Sequence, residues 1–122
     1  MDTLRVFQDE VLLEQRVRFG ELFDLYSSLL TEKQRTACEL VLRGDLSIAE
    51  LGVELGMTRQ GAHDLVKRSR DFLEELERSL GLREIRGKLE SLVAIIAEAD
   101  LPQEFMERVS GLLGAEGESE DV

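Results

Sequence analysis

The chain has 122 residues, of which 43% are hydrophobic and 34% charged, with one Pro, one Cys, no Trp and a formal net charge of −11. This length suits one domain, or one domain with an appended segment, and the apolar fraction suffices for a core built mainly from Leu, Val and Ile. The acidic balance argues against nonspecific coating of polyanions, the single Cys38 excludes an internal disulfide, and no apolar run approaches the ~18 residues of a membrane span.

With no secretory signal and almost no β-branched alternation, the expectation is an all-α, cytoplasmic protein without membrane association. Residues 1 to about 30 read as one long amphipathic helix, in which Leu4, Phe7, Val11, Phe19, Leu22, Phe23, Tyr26, Leu29 and Leu30 recur at steps of three and four. Gly20 weakens that helix by up to ~1 kcal/mol relative to Ala and marks where a kink would fall. Arg5, Arg16 and Arg18 read as a solvated face. Thr31 then caps a second helix with Glu32 in its first turn. Ala37, Cys38, Val41 and Leu42 supply its inward face, and Gly44-Asp45 end it. Cys38 is expected in the core: a catalytic thiol needs a base beside it, and the one histidine, His63, lies on the outward side of another helix.

Ser47 to Lys67, SIAELGVELGMTRQGAHDLVK, reads as a helix-turn-helix. Two short helices crossing at about 90 to 120° need nearly side-chain-free positions where they touch, which Gly52 and Ala62 supply. Gly56 provides the positive φ of the turn, and Ser47 with Glu50 makes a capping box for the first helix. Thr58 caps the second helix, the recognition helix. Leu51, Leu55, Met57 and Leu65 close the small core. Thr58, Arg59, Gln60, His63, Asp64 and Lys67 then face outward, in the row that enters a DNA major groove when such a motif is used conventionally.

The recognition helix runs on from Arg59 until Gly81, with Ala62, Leu65, Val66, Phe72, Leu73, Leu76 and Leu80 as its apolar stripe and a Schellman ending at Gly81-Leu82. Lys67, Arg68 and Arg70 form a basic cluster placed for phosphate contacts. Gly61, inside the helix, either permits close backbone approach or only weakens it. Beyond Gly81, Leu82, Ile85, Leu89, Leu92, Val93 and Ile96 make a helical seam, and a shorter helix follows Leu101-Pro102 with Phe105, Met106, Val109, Leu112 and Leu113. The expected organisation is therefore a helical domain over 1–82, C-terminal helices over 83–113 and a disordered acidic tail over 114–122. Residues 1–31 carry three Lys/Arg against six Asp/Glu, 32–70 seven against six, and 71–122 five against fourteen, so only the third holding the helix-turn-helix is not acidic.

LFDLYSSLLTEKQR, then LSIAELGVELGMTRQGAHDLVKR, then LEELERSLGL resemble, in that order, the small YlxM-type family of bacterial helix-turn-helix proteins. More distantly, LTEKQR followed by LSIAELGVELGMTRQGAHDLVKRS resembles region four of sigma factors. The resemblance implies a fold related to sigma-factor region four, a regulatory role, and a link to the signal recognition particle pathway, because such proteins are encoded beside its GTPase. Gly61 and His63 depart from the family pattern, which has a better helix former and an aromatic residue there.

The first functional reading is an accessory or regulatory protein of that pathway. Arg59, Gln60, His63, Lys67, Arg68 and Arg70 would offer donors to signal recognition particle RNA, and the acidic C-terminal part would offer a surface to the particle's GTPase. The second is a DNA-binding transcriptional regulator, a homodimer with recognition helices about 34 to 36 Å apart on duplex DNA. The third is a protein-interaction adaptor that touches no nucleic acid. One histidine, no Gly-rich phosphate loop and no spaced metal-ligand set predict no enzyme, no cofactor and no metal; Glu74, Glu75 and Glu77 read as ordinary solvated helix positions.

Overall fold

A computed structural model describes residues 3–114, with side chains from residue 12 onward except that of Leu113. Six helices follow one another: α1 (Thr3–Tyr26), α2 (Glu32–Leu42), α3 (Ile48–Leu55), α4 (Arg59–Leu80), α5 (Leu82–Glu98) and α6 (Gln103–Gly114), with a 3-10 turn over Ser27–Leu29 between the first two. No strand occurs among the described residues. The chain is all-α.

Each short helix begins on its own sequence signal. The Thr31 hydroxyl accepts from the Gln34 amide at 3.2 Å while the Gln34 side chain accepts from the Thr31 amide at 3.0 Å. The Ser47 and Glu50 side chains make the same reciprocal pair at 3.1 and 2.8 Å. Each box satisfies two amides that a helix start otherwise leaves without partners. Bonding from the Ser47 amide holds the Glu50 carboxyl below the usual carboxylate range. At the far end of α2, Asp45 takes a left-handed φ of 57°, a conformation that Asp tolerates better than most non-glycine residues.

The core belongs to the unit Met1–Arg83. Phe19, Leu22, Phe23, Tyr26 and Leu30 pack against Ala37 and Cys38 of α2, Leu51 of α3, and Ala62, Val66 and Leu73 of α4. Each large apolar side chain removed from water contributes about 1.5 to 3 kcal/mol. Cys38 is fully buried, and burial pushes its thiol up, against a smaller opposing effect of a hydrogen bond with Ser69. A raised thiol is the reverse of an activated one. Leu29, expected inside, is 53% exposed because the 3-10 turn rotates it outward. Leu4, Phe7, Val11 and Arg5 lie outside the described side chains.

Three expectations about α1 and α4 are corrected. First, α1 passes through Gly20 without a break; nothing lies within 4 Å of where a Cβ would stand, so Gly20 floors an open groove beside Leu13, Val17, Phe23 and Leu42. Second, Arg16 and Arg18 are engaged in specific bonds rather than merely solvated. Arg16 Nη2 donates to the Val41 and Leu42 carbonyls at 3.0 and 3.3 Å and to Asp45 at 3.2 Å, which caps the end of α2. Arg18 donates to both oxygens of Glu74 at 2.7 and 2.8 Å. Third, Gly81 ends α4 through a single bond from its amide to the Glu77 carbonyl. The Leu82 amide, which a Schellman ending would return to the helix, donates instead to the Tyr26 hydroxyl at 3.1 Å.

That hydroxyl, on a side chain only 1% exposed, in turn donates to Glu77 Oε1 at 2.7 Å. Glu77 Oε1 also accepts from the Arg83 amide at 3.0 Å, and the Arg83 side chain bonds Glu21 at 3.0 Å. Glu74 and Glu77 are therefore half-buried structural acids, while Glu75 is exposed. Burial and then the bond to Glu77 raise the Tyr26 phenol above its usual range.

A second unit, Glu84–Val122, holds most of α5 and all of α6. None of its described side chains is buried. Of the tail expected over 114–122, only Gly114 is described, closing α6; the rest lies outside the described residues. No helix among the described residues is long and apolar enough to cross a membrane.

Tyr26→Phe removes the hydroxyl shared by Glu77 and the Leu82 amide and is expected to destabilise by about 1.5 kcal/mol, roughly 6 to 12 °C in Tm for a domain of this size. An unchanged melting curve would show that the shared hydroxyl carries nothing. Glu74 gives a pH signature. Its bond from Arg18 holds the carboxyl below its ordinary 4.5. Stability from a depressed carboxyl is complete above the unfolded value and lost as pH falls through the folded one. Glu74→Gln should therefore cost about 0.5 to 1 kcal/mol at pH 7, the pair being partly exposed, and the Tm difference from the parent should shrink progressively as pH falls below 4.5. A difference constant from pH 7 to pH 3 would contradict this assignment.

Candidate nucleic-acid interface

α3 and α4 form the helix-turn-helix, and its turn is built by backbone constraints. Gly56 sits at φ 67°. Its amide bonds the Val53 carbonyl at 3.3 Å and the Met57 amide bonds that of Gly52 at 2.8 Å, which is a Schellman ending. Gly52 is buried, and the nearest obstacle to a side chain there is the backbone of the turn. A Cβ there would lie 2.9 Å from the Met57 carbonyl oxygen and 3.3 Å from that of Thr58. The missing side chain makes room for the turn itself. Leu51 and Ala62 are fully buried, whereas Leu55, Met57 and Leu65 are half-buried at the edge of the core.

The Thr58 hydroxyl accepts from the Gly61 amide at 2.9 Å, so α4 starts where a cap was expected. Gly61 is half-buried, and a Cβ on it would stand 3.1 Å from Thr58 Oγ1 and 3.4 Å from Met57 Cε. Its smallness thus serves the protein's own cap.

Thr58, Arg59, Gln60, His63, Lys67, Arg68 and Arg70 are all exposed. The structure does not gather them equally. His63, Lys67 and Arg70 line one concavity of about 300 Å³ with Val66, Asp71 and Ile48, the first residue of α3. Arg59 and Gln60 precede this concavity on the first turn of α4. Arg68 is turned about 100° around the helix from Lys67 and does not line it. Arg70 is further fixed by stacking over the Phe19 ring, 5.1 Å from its centroid.

Acids one helical turn away temper the row. Lys67 pairs with Asp71 at 3.0 Å, Gln60 donates to Asp64 at 2.9 Å, and His63 Nδ1 lies 3.5 Å from Asp64. Exposed pairs of this kind contribute about 0 to 1 kcal/mol and exchange partners easily. Asp71, Ile48 and the Phe19 stack were not singled out from sequence. The Lys67–Asp71 spacing of four was the one legible signal; the other two depend on tertiary packing. No group of three or more His, Cys, Asp or Glu that could hold a metal ion occurs among the described residues.

The model of the family described as "UPF0122: Putative helix-turn-helix protein, YlxM / p13 like" matches residues 13–111. The chain belongs to the YlxM/p13-like helix-turn-helix family. Relatives called UPF0122 protein from Bacillus cereus strain Q1, Bacillus anthracis strain A0248 and Bacillus thuringiensis subsp. konkukian strain 97-27 are each 38% identical over 102 residues. The matches cover 80% of this chain and 93% of each relative. The YlxM/p13-like match spans α2 to α5 entire, so the helix-turn-helix is framed by the same match as the helices that support it.

Gly52 of the turn and Gly20 of α1 should respond to the same substitution in opposite directions. Gly52→Ala forces Cβ into backbone that cannot move freely and should destabilise by about 2 kcal/mol or more. Gly20→Ala, in open space within a helix, should stabilise by about 0.5 to 1 kcal/mol. Chemical denaturation of both variants checks this; equal effects would show that the close approach at Gly52 is not what holds the turn.

Proposed function

We propose that this protein is a cytoplasmic accessory or regulatory protein of the signal recognition particle pathway that binds nucleic acid through α4. The observation that carries this reading is the exposed row Arg59, Gln60, His63, Lys67 and Arg70 along α4, of which His63, Lys67 and Arg70 share one concavity beside Val66. Supporting it are the capped, rigid start of α4 and membership of a helix-turn-helix family. Arg59, Lys67 and Arg70 supply cations for phosphates, Gln60 and His63 supply groups able to reach base edges, and Arg68 flanks them as a further phosphate contact. Signal recognition particle RNA is the ligand this reading names. The acidic residues beyond Asp71 supply the charge for a second, protein-directed contact with the particle's GTPase.

Salt titration of binding to that RNA and to random duplex DNA tests the proposal. Arg59→Ala and Lys67→Ala should each weaken RNA binding about 3- to 10-fold and reduce the log–log salt slope by about 1, with Arg68→Ala smaller. Asp71→Asn, which releases Lys67, should tighten binding about 2- to 5-fold. Tighter binding to duplex DNA than to the RNA would move the assignment to a dimeric DNA-binding regulator. Binding to neither would leave a protein-interaction adaptor and overturn recognition through α4.

A further inference from the structure

In the second unit, α5 and α6 meet at a short elbow, Ala99 to Pro102. The elbow is closed by bonds from the Ala99 amide to the Ile96 carbonyl and from the Phe105 and Met106 amides to that of Pro102. Around it stands a run of apolar side chains that nothing in the unit covers: Leu89 is 47% exposed, Leu92 51%, Ile95 63%, Leu101 38% and Phe105 56%. Exposed apolar groups gathered in one short segment are a feature of binding surfaces. Helix pairs with no buried side chain also have little of their own to hold them together.

The charge around this surface restricts what can cover it. From Leu89 to Glu107 the sequence carries five acids, Glu90, Glu98, Asp100, Glu104 and Glu107, and no Lys or Arg. A second copy meeting it elbow to elbow would set acid against acid, an arrangement that costs several kcal/mol across an interface. A lipid surface of the usual anionic kind is disfavoured on the same ground. With Lys88 and Arg108 only at the two ends of this stretch, an apolar run whose middle carries acids alone fits a helix whose own apolar stripe is flanked by basic side chains.

We infer that the α5–α6 elbow is a docking site for a basic amphipathic helix of a protein partner. Leu92, Ile95 and Phe105 would receive its apolar side chains, and Glu98, Asp100, Glu104 and Glu107 would meet its Lys or Arg. This contact deepens the protein-directed reading of the acidic residues beyond Asp71 and is separate from the α4 row.

The full chain, labelled for NMR, is titrated with an 18-residue helical peptide of Leu and Lys, Leu on one face, and with its counterpart carrying Glu for Lys. The Lys peptide should shift amides within 89–107 and bind at least 10-fold more tightly than the Glu peptide. Leu92→Ser/Phe105→Ser should lower that affinity about 10-fold or more. Glu98→Gln/Glu104→Gln, which leaves the apolar face intact and guards against loss of helix in the first variant, should lower it about 3- to 10-fold and flatten its salt dependence. Equal binding of the two peptides, shifts that map outside 89–107, or self-association that protects Leu92 and Phe105 in the free protein would each overturn the inference.

Discussion

The helix-turn-helix depends on one absence: there is no side chain on Gly52. The Met57 and Thr58 carbonyls come so close that a methyl group would stand 2.9 Å from the first of them. That approach fixes the turn, and the turn fixes where Thr58 stands. Thr58 in turn sets where α4 begins, and therefore which residues lie on its first exposed turns. Gly56 makes the reversal conformationally accessible, but Gly52 decides its direction. A looser turn would leave the same residues present with their geometry undefined, and presentation to a rigid partner demands definition.

α4 does two jobs along its length. Its N-terminal half buries Ala62 and Val66 against the other helices and keeps Arg59, Gln60, His63 and Lys67 in water. Its C-terminal half is held by α1 through polar groups: Arg18 on Glu74, and Tyr26 between Glu77 and the Leu82 amide. Charge-assisted and bidentate bonds are more directional than apolar packing, so they fix the rotation of α4 about its own axis as well as its position. Core burial alone would tolerate a modest roll of the helix. The clamp does not, and the outward row inherits its orientation.

Local signals in the sequence were enough for much of this fold. Ser47 with Glu50, Thr58 and the Gly56 turn each act within four residues, and periodic Leu, Phe and Val positions announced the helices. What escaped was set by partners distant in sequence. Arg18 is separated from Glu74 by 56 residues and Arg16 from the end of α2 by 25 or more. Nothing in their own neighbourhood distinguishes them from solvated arginines. Gly20 misled for the opposite reason: propensity predicted weakness, and the flanking helix, already held by Phe19, Leu22 and Phe23, overrode it. At the candidate site, the composition of the outward row was legible. Its division was not obvious from three adjacent cations, since consecutive residues on a helix point about 100° apart.

A protein of net charge −11 can engage a polyanion only by segregating its charge and relying little on bulk attraction. Here even the cationic row is partly neutralised, by Asp71 on Lys67, and Asp64 stands beside His63 and Gln60. Those pairs are exposed and weak, so a phosphate can displace a carboxylate from Lys67 at small cost. A phosphate bound in the wrong register recovers little, because the surrounding acids repel the rest of the backbone. Nonspecific affinity, which scales with the number of phosphates neutralised, is thereby suppressed more than affinity for a ligand that also satisfies Gln60 and His63. On the proposed function, the acidity of the chain acts as a filter that favours a shaped nucleic acid over an arbitrary one.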